Sequence, residues 1–267
     1  MKGAVGLIAG DGELPLLLAS EIRAAGRPVV AVAHRGATLV HLKGMVNAFH
    51  WVHVGELGKI IELLRAEGVR RAVFAGGIPK TLFFSDAKPD ERAIRVLIRL
   101  KDKKDDNILR AVAQEIETEG IRVISPIPFL KESMAARGCW TARKPTEREE
   151  KDLAFGWAMA RSIGRLDIGQ CLVVKEQMVL AVEAVEGTDE TIRRGGKLGR
   201  GDVMVIKICK PRQDRRLDLP VIGTGTVKTL KESGASALVV EAGKTIVMHK
   251  EDVVREADES GICLMGR

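Results

Sequence analysis

The chain is poor in the residues that mark several functional classes. It contains no tyrosine, and aromatic residues amount to 3%, so it offers few flat rings on which nucleobases could stack. No helix-turn-helix or RNA-binding signature compensates, and nucleic acid is disfavoured as a partner. The four cysteines, Cys139, Cys171, Cys209 and Cys263, stand far apart and form no C-x-x-C pair. That spacing suggests neither a zinc site nor a disulfide framework, and it suits a reducing compartment. No apolar run approaches the roughly 18 to 20 residues that a spanning helix needs. The apolar stretch from Met1 to Ala9 runs into Gly10-Asp11-Gly12-Glu13 without a cleavage-type sequence, so it reads as the first strand of a cytoplasmic protein rather than a secretory signal. Acidic residues are outnumbered, 36 against 43 lysines and arginines, for a formal charge of +7. This excess favours anionic partners such as phospholipid head groups or a phosphorylated metabolite.

The 267 residues are many for a single core, and two domains of roughly 130 residues are expected. In the first half, apolar runs alternate with helical faces. Ala4–Ala9, Pro28–Ala33, Ala48–Val54 and Val69–Ala75 read as strands. Leu14, Leu17, Leu18 and Ile22, then Leu57, Ile60, Ile61 and Leu64, then Ile108, Leu109, Val112 and Ile116 fall at helical spacing. Ile121–Ile124 closes the series. This rhythm predicts an α/β fold: an N-terminal Rossmann-like parallel sheet with helices on both faces, over 1–132. Pro126, Pro128 and the polar stretch Ala135–Glu150 then place a boundary near residue 133. A mixed α/β domain over 133–267 follows. It opens on a helix carrying Leu153, Trp157 and Ile163, continues with a hairpin of Cys171–Val174 and Met178–Val182, and has later strands at Val203–Ile208, Ala237–Val240, Thr245–Met248 and Ile262–Met265. Helices are expected to start near Thr226 and Lys250.

Two glycine turns stand at predicted strand ends. Gly10-Asp11-Gly12-Glu13-Leu14-Pro15 joins the first strand to the first helix, where phosphate sits in dinucleotide folds. Pro15 occupies the place of the third glycine of G-x-G-x-x-G, and the second strand ends in Ala33-His34-Arg35 without an acid, so a redox dinucleotide is disfavoured. In a doubly wound order the first and fourth strands are neighbours, which sets Gly10 opposite Gly76-Gly77-Ile78-Pro79-Lys80. Both turns would then approach one ligand through backbone N–H groups. A purely connecting role for the turns is the competing reading.

Charge concentrates in the second half. Glu186, Asp189, Asp214 and Asp218 supply carboxylates, and Lys207, Lys210, Arg212, Arg215 and Arg216 supply cations. Hydrolysis of a diphosphate calls for this combination: carboxylates and substrate phosphate hold a hard cation such as Mg²⁺, and basic groups neutralise the charge on the transferred phosphoryl group. Thr224-Gly225-Thr226 at a helix start adds hydroxyl and N–H donors. Most of these charges, taken singly, suit a solvated surface. Asp218 stands apart because it lies between Leu217 and Leu219 and ahead of Pro220. Thr188-Asp189-Glu190-Thr191 also reads as a helix start capped by Thr188. His50 and His53 fall on opposite faces of a strand, which argues for separate, partly buried, hydrogen-bonded side chains and against a shared metal.

Taken together, Ala9–Pro15, Phe74-Ala75-Gly76, Asp167-Ile168-Gly169-Gln170, Val179–Arg194 and Lys210–Gly223 resemble the metal-dependent UDP-2,3-diacylglucosamine pyrophosphatases of lipid A biosynthesis. These are the two-domain type, distinct from calcineurin-like phosphoesterases. The resemblance implies Mg²⁺-dependent cleavage of UDP-2,3-diacylglucosamine to 2,3-diacylglucosamine 1-phosphate and UMP, with substrate between the domains and water attacking the sugar-side phosphorus. It places the essential aspartate of the family's D-L-P-x-I-G block on Asp218. Asp218, Asp189 and Lys210 are thus the expected catalytic residues, and Asp218 and Asp214 the expected metal ligands. Gly10, Asp11, Gly12, Gly76, Gly77, Thr188, Gln213, Arg216, Thr224 and Thr226 are expected to bind substrate. The short segment Gly195–Arg200 departs from members with a longer insertion. A diacylated substrate adds an anionic membrane surface as a peripheral partner, at the inner membrane, and a homodimer is the assembly allowed for. A nucleotide or nucleotide-sugar sensor without catalysis is the alternative function.

Overall fold

The computed structural model describes residues 3–79, 82, 87–100 and 104–267, so Lys80 of the second glycine turn lies outside the described residues. By their contacts, Met1–Lys131 together with Asp214–Asp218 form one compact unit, and Glu132–Gln213 together with Leu219–Arg267 form another.

The first unit begins with β1 (Val5–Ala9), α1 (Leu14–Ala24), β2 (Val29–His34), a 3₁₀ turn at Val40–Met45, β3 (Ala48–Val52), α2 (Leu57–Ala66) and β4 (Arg71–Ala75). It is completed by α3 (Glu91–Arg99), α4 (Asp105–Thr118) and β5 (Arg122–Val123). The strands form a sheet of order β3-β2-β1-β4-β5, parallel throughout. The expected neighbours β1 and β4 do pair, with Ala9 opposite Ala75. Strands covered on both faces need continuous apolar runs, and β1 and β2 are buried at every residue. One face, with Ile8, Val30 and Val32, packs against Ile60, Ile61 and Leu64 of α2, Val96 of α3 and Ile116 of α4. The alternate positions Leu7, Val29 and Ala31 serve the other face, where α1 buries Leu18, Ala19 and Ile22.

Helix α3 was not foreseen. Its apolar residues do not make one clean stripe, since Ala93 and Val96 are buried while Ile94 and Ile98 are exposed. Its one clear signal was the preceding Asp90, whose carboxylate accepts the N–H of Ala93 at 2.9 Å as an N-cap. The segment 214–218 belongs to this unit because Leu217 is buried in the same core cluster as Val123 and Ile116.

The second unit contains β6 (Gly138–Cys139), α5 (Glu147–Arg165), β7 (Cys171–Lys175), β8 (Met178–Val182), α6 (Thr188–Gly199), β9 (Val203–Lys207) and β10 (Val221–Ile222). After these come α7 (Thr224–Glu232), β11 (Ala235–Val240), β12 (Ile246–Val247), α8 (Lys250–Glu259) and β13 (Cys263–Gly266). Its main sheet has the order β6-β13-β11-β9-β7-β8, and β10 and β12 pair separately. Strands β9, β11 and β13 are parallel, and β7 runs antiparallel to β9. The predicted hairpin of β7 and β8 is present. Its two turn residues, Glu176 and Gln177, both adopt positive φ, as a twist-matched two-residue loop requires. Strand β6, two residues at the edge antiparallel to β13, lies in the stretch read from sequence as a polar boundary.

Helix α5 starts with a capping box in which the Thr146 hydroxyl accepts from the Glu149 N–H and the Glu149 carboxylate accepts from the Thr146 N–H at 2.8 Å. The same buried carboxylate takes Arg143 at 2.6 Å and the Ser236 hydroxyl at 2.6 Å. Burial alone would raise its pKa, but Arg143, Ser236 and the Thr146 N–H together bring it down to about 2.

Candidate functional site

In parallel sheets ligands meet the carboxyl ends of the strands. At that edge of the first unit the two glycine turns do lie against each other. The Gly10 N–H donates to the Ala75 carbonyl at 2.8 Å and the Asp11 N–H to the Gly77 carbonyl at 2.7 Å. A Cβ on Gly10 would stand 2.3 Å from the Gly77 oxygen, and one on Gly76, whose φ is +80°, would stand 2.3 Å from the Asp11 oxygen. Glycine is therefore required at both positions for the turns to close on one another. The exposed Asp11 carboxylate accepts the Gly12 N–H at 2.8 Å. The N–H groups of Gly10 and Asp11 thus bond across the junction, and that of Gly12 bonds to the exposed Asp11 side chain.

Sequence reasoning missed what supports this junction. The Ala9 carbonyl accepts the Thr38 hydroxyl at 2.7 Å and lies 2.9 Å from His34 Nδ1. Burial lowers the His34 pKa, and the bond to Ala9 opposes the shift only in part. The ring is thus neutral, with Nδ1 carrying the proton given to Ala9. The signal available was a histidine closing an otherwise apolar strand. His50 and His53, by contrast, behave as expected: both are half-buried, with His50 Nε2 2.8 Å from Glu67 and His53 Nε2 3.3 Å from Lys88 Nζ.

The segment 214–218 supplies three predicted residues to the first unit. Asp214 and Arg216 form an ion pair at 2.8 Å, which lowers the Asp214 pKa, while Arg216 also reaches Glu117 at 3.2 Å. The Asp214 carboxylate, expected to bind metal, is therefore engaged by a guanidinium. Asp218 is exposed between Leu217 and Leu219, both buried, and its N–H donates to the Asp214 carbonyl at 3.2 Å. The local burial pattern thus turns this carboxylate outward while anchoring its neighbours.

The second unit presents side chains where the first presents backbone. Strands β8 and β9 end at one edge, and β7 begins there, with Cys171 opposite Lys207. Glu183, just past β8, is buried, as is Lys207. Glu183 accepts the Thr188 hydroxyl at 2.9 Å and the Gln170 N–H at 3.2 Å. A Cβ at Gly169 would lie 2.0 Å from the Glu183 carbonyl, so the preceding turn can close only with glycine there. The Lys207 ammonium donates to the Val221 carbonyl at 2.9 Å. Gln170 Oε1 is buried with no hydrogen-bond partner among the described residues. Such an acceptor is costly unless a ligand or water completes it. Burial raises the Cys171 thiol pKa, Glu183 and Asp189 add to the rise, and Lys207 opposes it, which places Asp189 within electrostatic reach of this cluster.

Thr188 is not the cap of α6. Gly187, at φ +85°, holds that position without a side-chain bond, and Thr188 is the first helical residue. Its hydroxyl is drawn to Glu183 instead, which outcompetes a capping bond. Glu186 is paired with Arg194 at 2.6 Å. Lys210 pairs with Asp167 at 2.6 Å, and the Gln213 side-chain oxygen accepts the Lys210 N–H at 3.1 Å. Thr224 opens α7, and the Thr226 hydroxyl accepts the Gly223 N–H at 3.3 Å. The structure therefore gathers Glu183, Gln170, Thr188 and Lys207, with Asp189 exposed in the first turn of α6, and of these Gln170 and Glu183 had no role assigned from sequence. A carboxylate closing the apolar strand β8 was the signal. Among the described residues no group of three or more His, Cys, Asp and Glu side chains is placed to hold a metal by itself.

Comparison with known proteins covers both units. Residues 4–133 match the LpxI N-terminal domain and residues 136–265 the LpxI C-terminal domain. The chain is 39% identical over 273 aligned residues to the UDP-2,3-diacylglucosamine pyrophosphatase LpxI of Caulobacter vibrioides, an alignment spanning 98% of this chain and 96% of that protein.

Proposed function

The chain belongs to the LpxI family, and from that premise we infer that it hydrolyses the diphosphate of UDP-2,3-diacylglucosamine to 2,3-diacylglucosamine 1-phosphate and UMP in lipid A biosynthesis. The observation that carries this reading is the end-to-end match to a pyrophosphatase of that name, with 98% of the chain aligned.

We assign the leading role to Asp218, as the carboxylate that orients the attacking water or ligates the metal. Lys210, Gln213 and Arg216 are assigned to the phosphates, and Asp189, Thr188 and the buried Gln170 oxygen to polar groups of the substrate. Lys210 can serve phosphate by exchanging Asp167 for it, since an ammonium is a point charge with rotatable donors. Thr224 and Thr226 offer hydroxyls at a helix start, and the glycine turns shape the first unit's edge rather than donate to the ligand. Mg²⁺ fits this donor set. It binds through one or two carboxylates together with substrate phosphates and retained water, so it needs no preformed cage. Asp214 would have to exchange its Arg216 partner for the ion. When bound, Mg²⁺ would neutralise charge on the diphosphate.

A substrate with two acyl chains must come from a bilayer surface, and the +7 charge draws the protein to anionic lipid at the cytoplasmic face of the inner membrane. No described helix is long and apolar enough to cross a membrane, so this contact is proposed as peripheral and salt-sensitive. Incubating the purified chain with labelled UDP-2,3-diacylglucosamine and Mg²⁺, with and without chelator, tests the assignment. Expected products are UMP and the lipid 1-phosphate, in the metal-containing reaction only. Substrate binding without product under every divalent ion would overturn it in favour of a sensor.

A further inference from the structure

The second unit has a hollow of about 760 Å³ that shares no residue with the candidate diphosphate site. Its size falls within the range of small-ligand pockets. Leu153 and Trp157 of α5, with Met265 of β13, form an apolar wall, and Arg137, Arg161, Lys244 and Arg267 bring cations to it. The acid among the lining residues, Glu241, is buried and already neutralised by Arg161 at 3.1 Å and Lys244 at 2.7 Å, while accepting the Cys209 N–H at 3.0 Å. Arg137 and Arg267 have no carboxylate partner among the described residues, and the Arg267 guanidinium lies 5.2 Å from the centre of the Trp157 ring.

These features select a ligand class by elimination. A cation meets four positive side chains against one engaged carboxylate. A bare inorganic anion leaves the Leu153, Trp157 and Met265 wall uncovered, and a neutral apolar molecule gains nothing from the exposed guanidiniums of Arg137 and Arg267, the latter donating only to the Leu153 carbonyl at 3.5 Å. We propose that this hollow binds an anionic amphiphile with a single alkyl chain, an alkyl carboxylate or alkyl phosphate, whose chain lies on Trp157, Leu153 and Met265 and whose head group is held by Arg137 and Arg267. Arginine suits either head group, because its fork of donors matches two oxygens at once.

Cys139 lines the same hollow and provides the readout. It is half-exposed, whereas Cys171, Cys209 and Cys263 are buried. Burial pushes the Cys263 thiol up to about 12, which keeps it unreactive near neutrality. The protein would be alkylated with N-ethylmaleimide alone and with dodecanoate, dodecyl phosphate, acetate, inorganic phosphate or dodecyl maltoside, each amphiphile below its micelle concentration. Dodecanoate, dodecyl phosphate or both should protect Cys139 in a saturable way, and the stronger of the two identifies the head group. Acetate, phosphate and the maltoside should not protect. In the double variant Arg137→Gln, Arg267→Gln, half-protection should need about tenfold more ligand, as expected for a lost charged contact. Equal protection by inorganic phosphate or by the maltoside would overturn the proposal, as would no protection at all. A circular dichroism spectrum unchanged from wild type confirms that the variant is folded. Should it not fold, each arginine is replaced alone, and unchanged half-protection in both single variants counts against the head-group assignment.

Discussion

The carboxyl edges of the two sheets are built by different means. In the first unit the edge is a contact between backbones: two glycine turns interlock, with a Cβ forbidden at 2.3 Å on either side. In the second it is a set of buried and half-buried side chains, with Glu183, Lys207 and Gln170 brought together by strand register. The first edge tolerates little change in shape, and the second little change in charge. Candidate chemistry accordingly falls on side chains of the second unit and on the segment 214–218, while the glycine turns carry geometry.

Substitutions should separate the two edges, and the largest effect on folding is expected at the glycines. Gly76→Val combines a positive φ with a backbone clash and should cost about 4 kcal/mol, enough to lower the melting temperature markedly. A melt within a few degrees of wild type would show that the turns need not interlock. Next comes Glu149 of the second unit. Its pKa is depressed, so its contribution to stability is complete above the unfolded value near 4.5 and is lost as pH falls toward about 2. Glu149→Gln should cost about 3 kcal/mol at pH 7, because it leaves Arg143 facing a neutral group. The variant's remaining stability should then vary less between pH 5 and pH 3 than that of wild type, measured by urea denaturation.

The interior strands were legible because fully buried parallel strands read as continuous apolar runs, as in Val29–Ala33 and Val203–Ile206, and the pairing of β1 with β4 followed from the usual doubly wound order. The hairpin was legible for a similar reason, since two apolar runs were parted by a short polar turn. What escaped was decided by tertiary context. Leu217 looks the same in sequence whichever core receives it, so the assignment of 214–218 to the first unit could not be read. The role of Thr188 depended on a carboxylate five residues earlier that proved buried and within reach. The acceptors of the Gly10 and Asp11 N–H groups lie on a turn more than sixty residues away, which sequence alone does not bring next to them. Asp218 was singled out by its neighbours, and their burial is what turns it outward.

Smaller effects sharpen the same contrast. His34 has a lowered pKa, so the stability it confers is complete above about 6.5 and declines as pH falls through that value toward its folded pKa. The loss should not exceed about 1.4 kcal/mol per pH unit. Trp51 lies in the neighbouring strand of the first unit, so its fluorescence in a chain lacking the other two tryptophans should report the loss. A first unit equally stable at pH 7.5 and pH 5.5 would contradict the neutral assignment. At the other edge, Thr188→Val removes the hydroxyl bonded to Glu183 and should raise KM about threefold with folding intact. An unchanged KM and kcat would remove Thr188 from the site.

The central claim is that diphosphate hydrolysis depends on the outward carboxylate of Asp218. Its most direct test is Asp218→Ala, assayed side by side for UDP-2,3-diacylglucosamine binding and for release of UMP. Binding should persist while turnover falls by about a thousandfold or more, the expected scale for a group acting mainly in the transition state. Near-normal release of UMP by the variant would contradict the account.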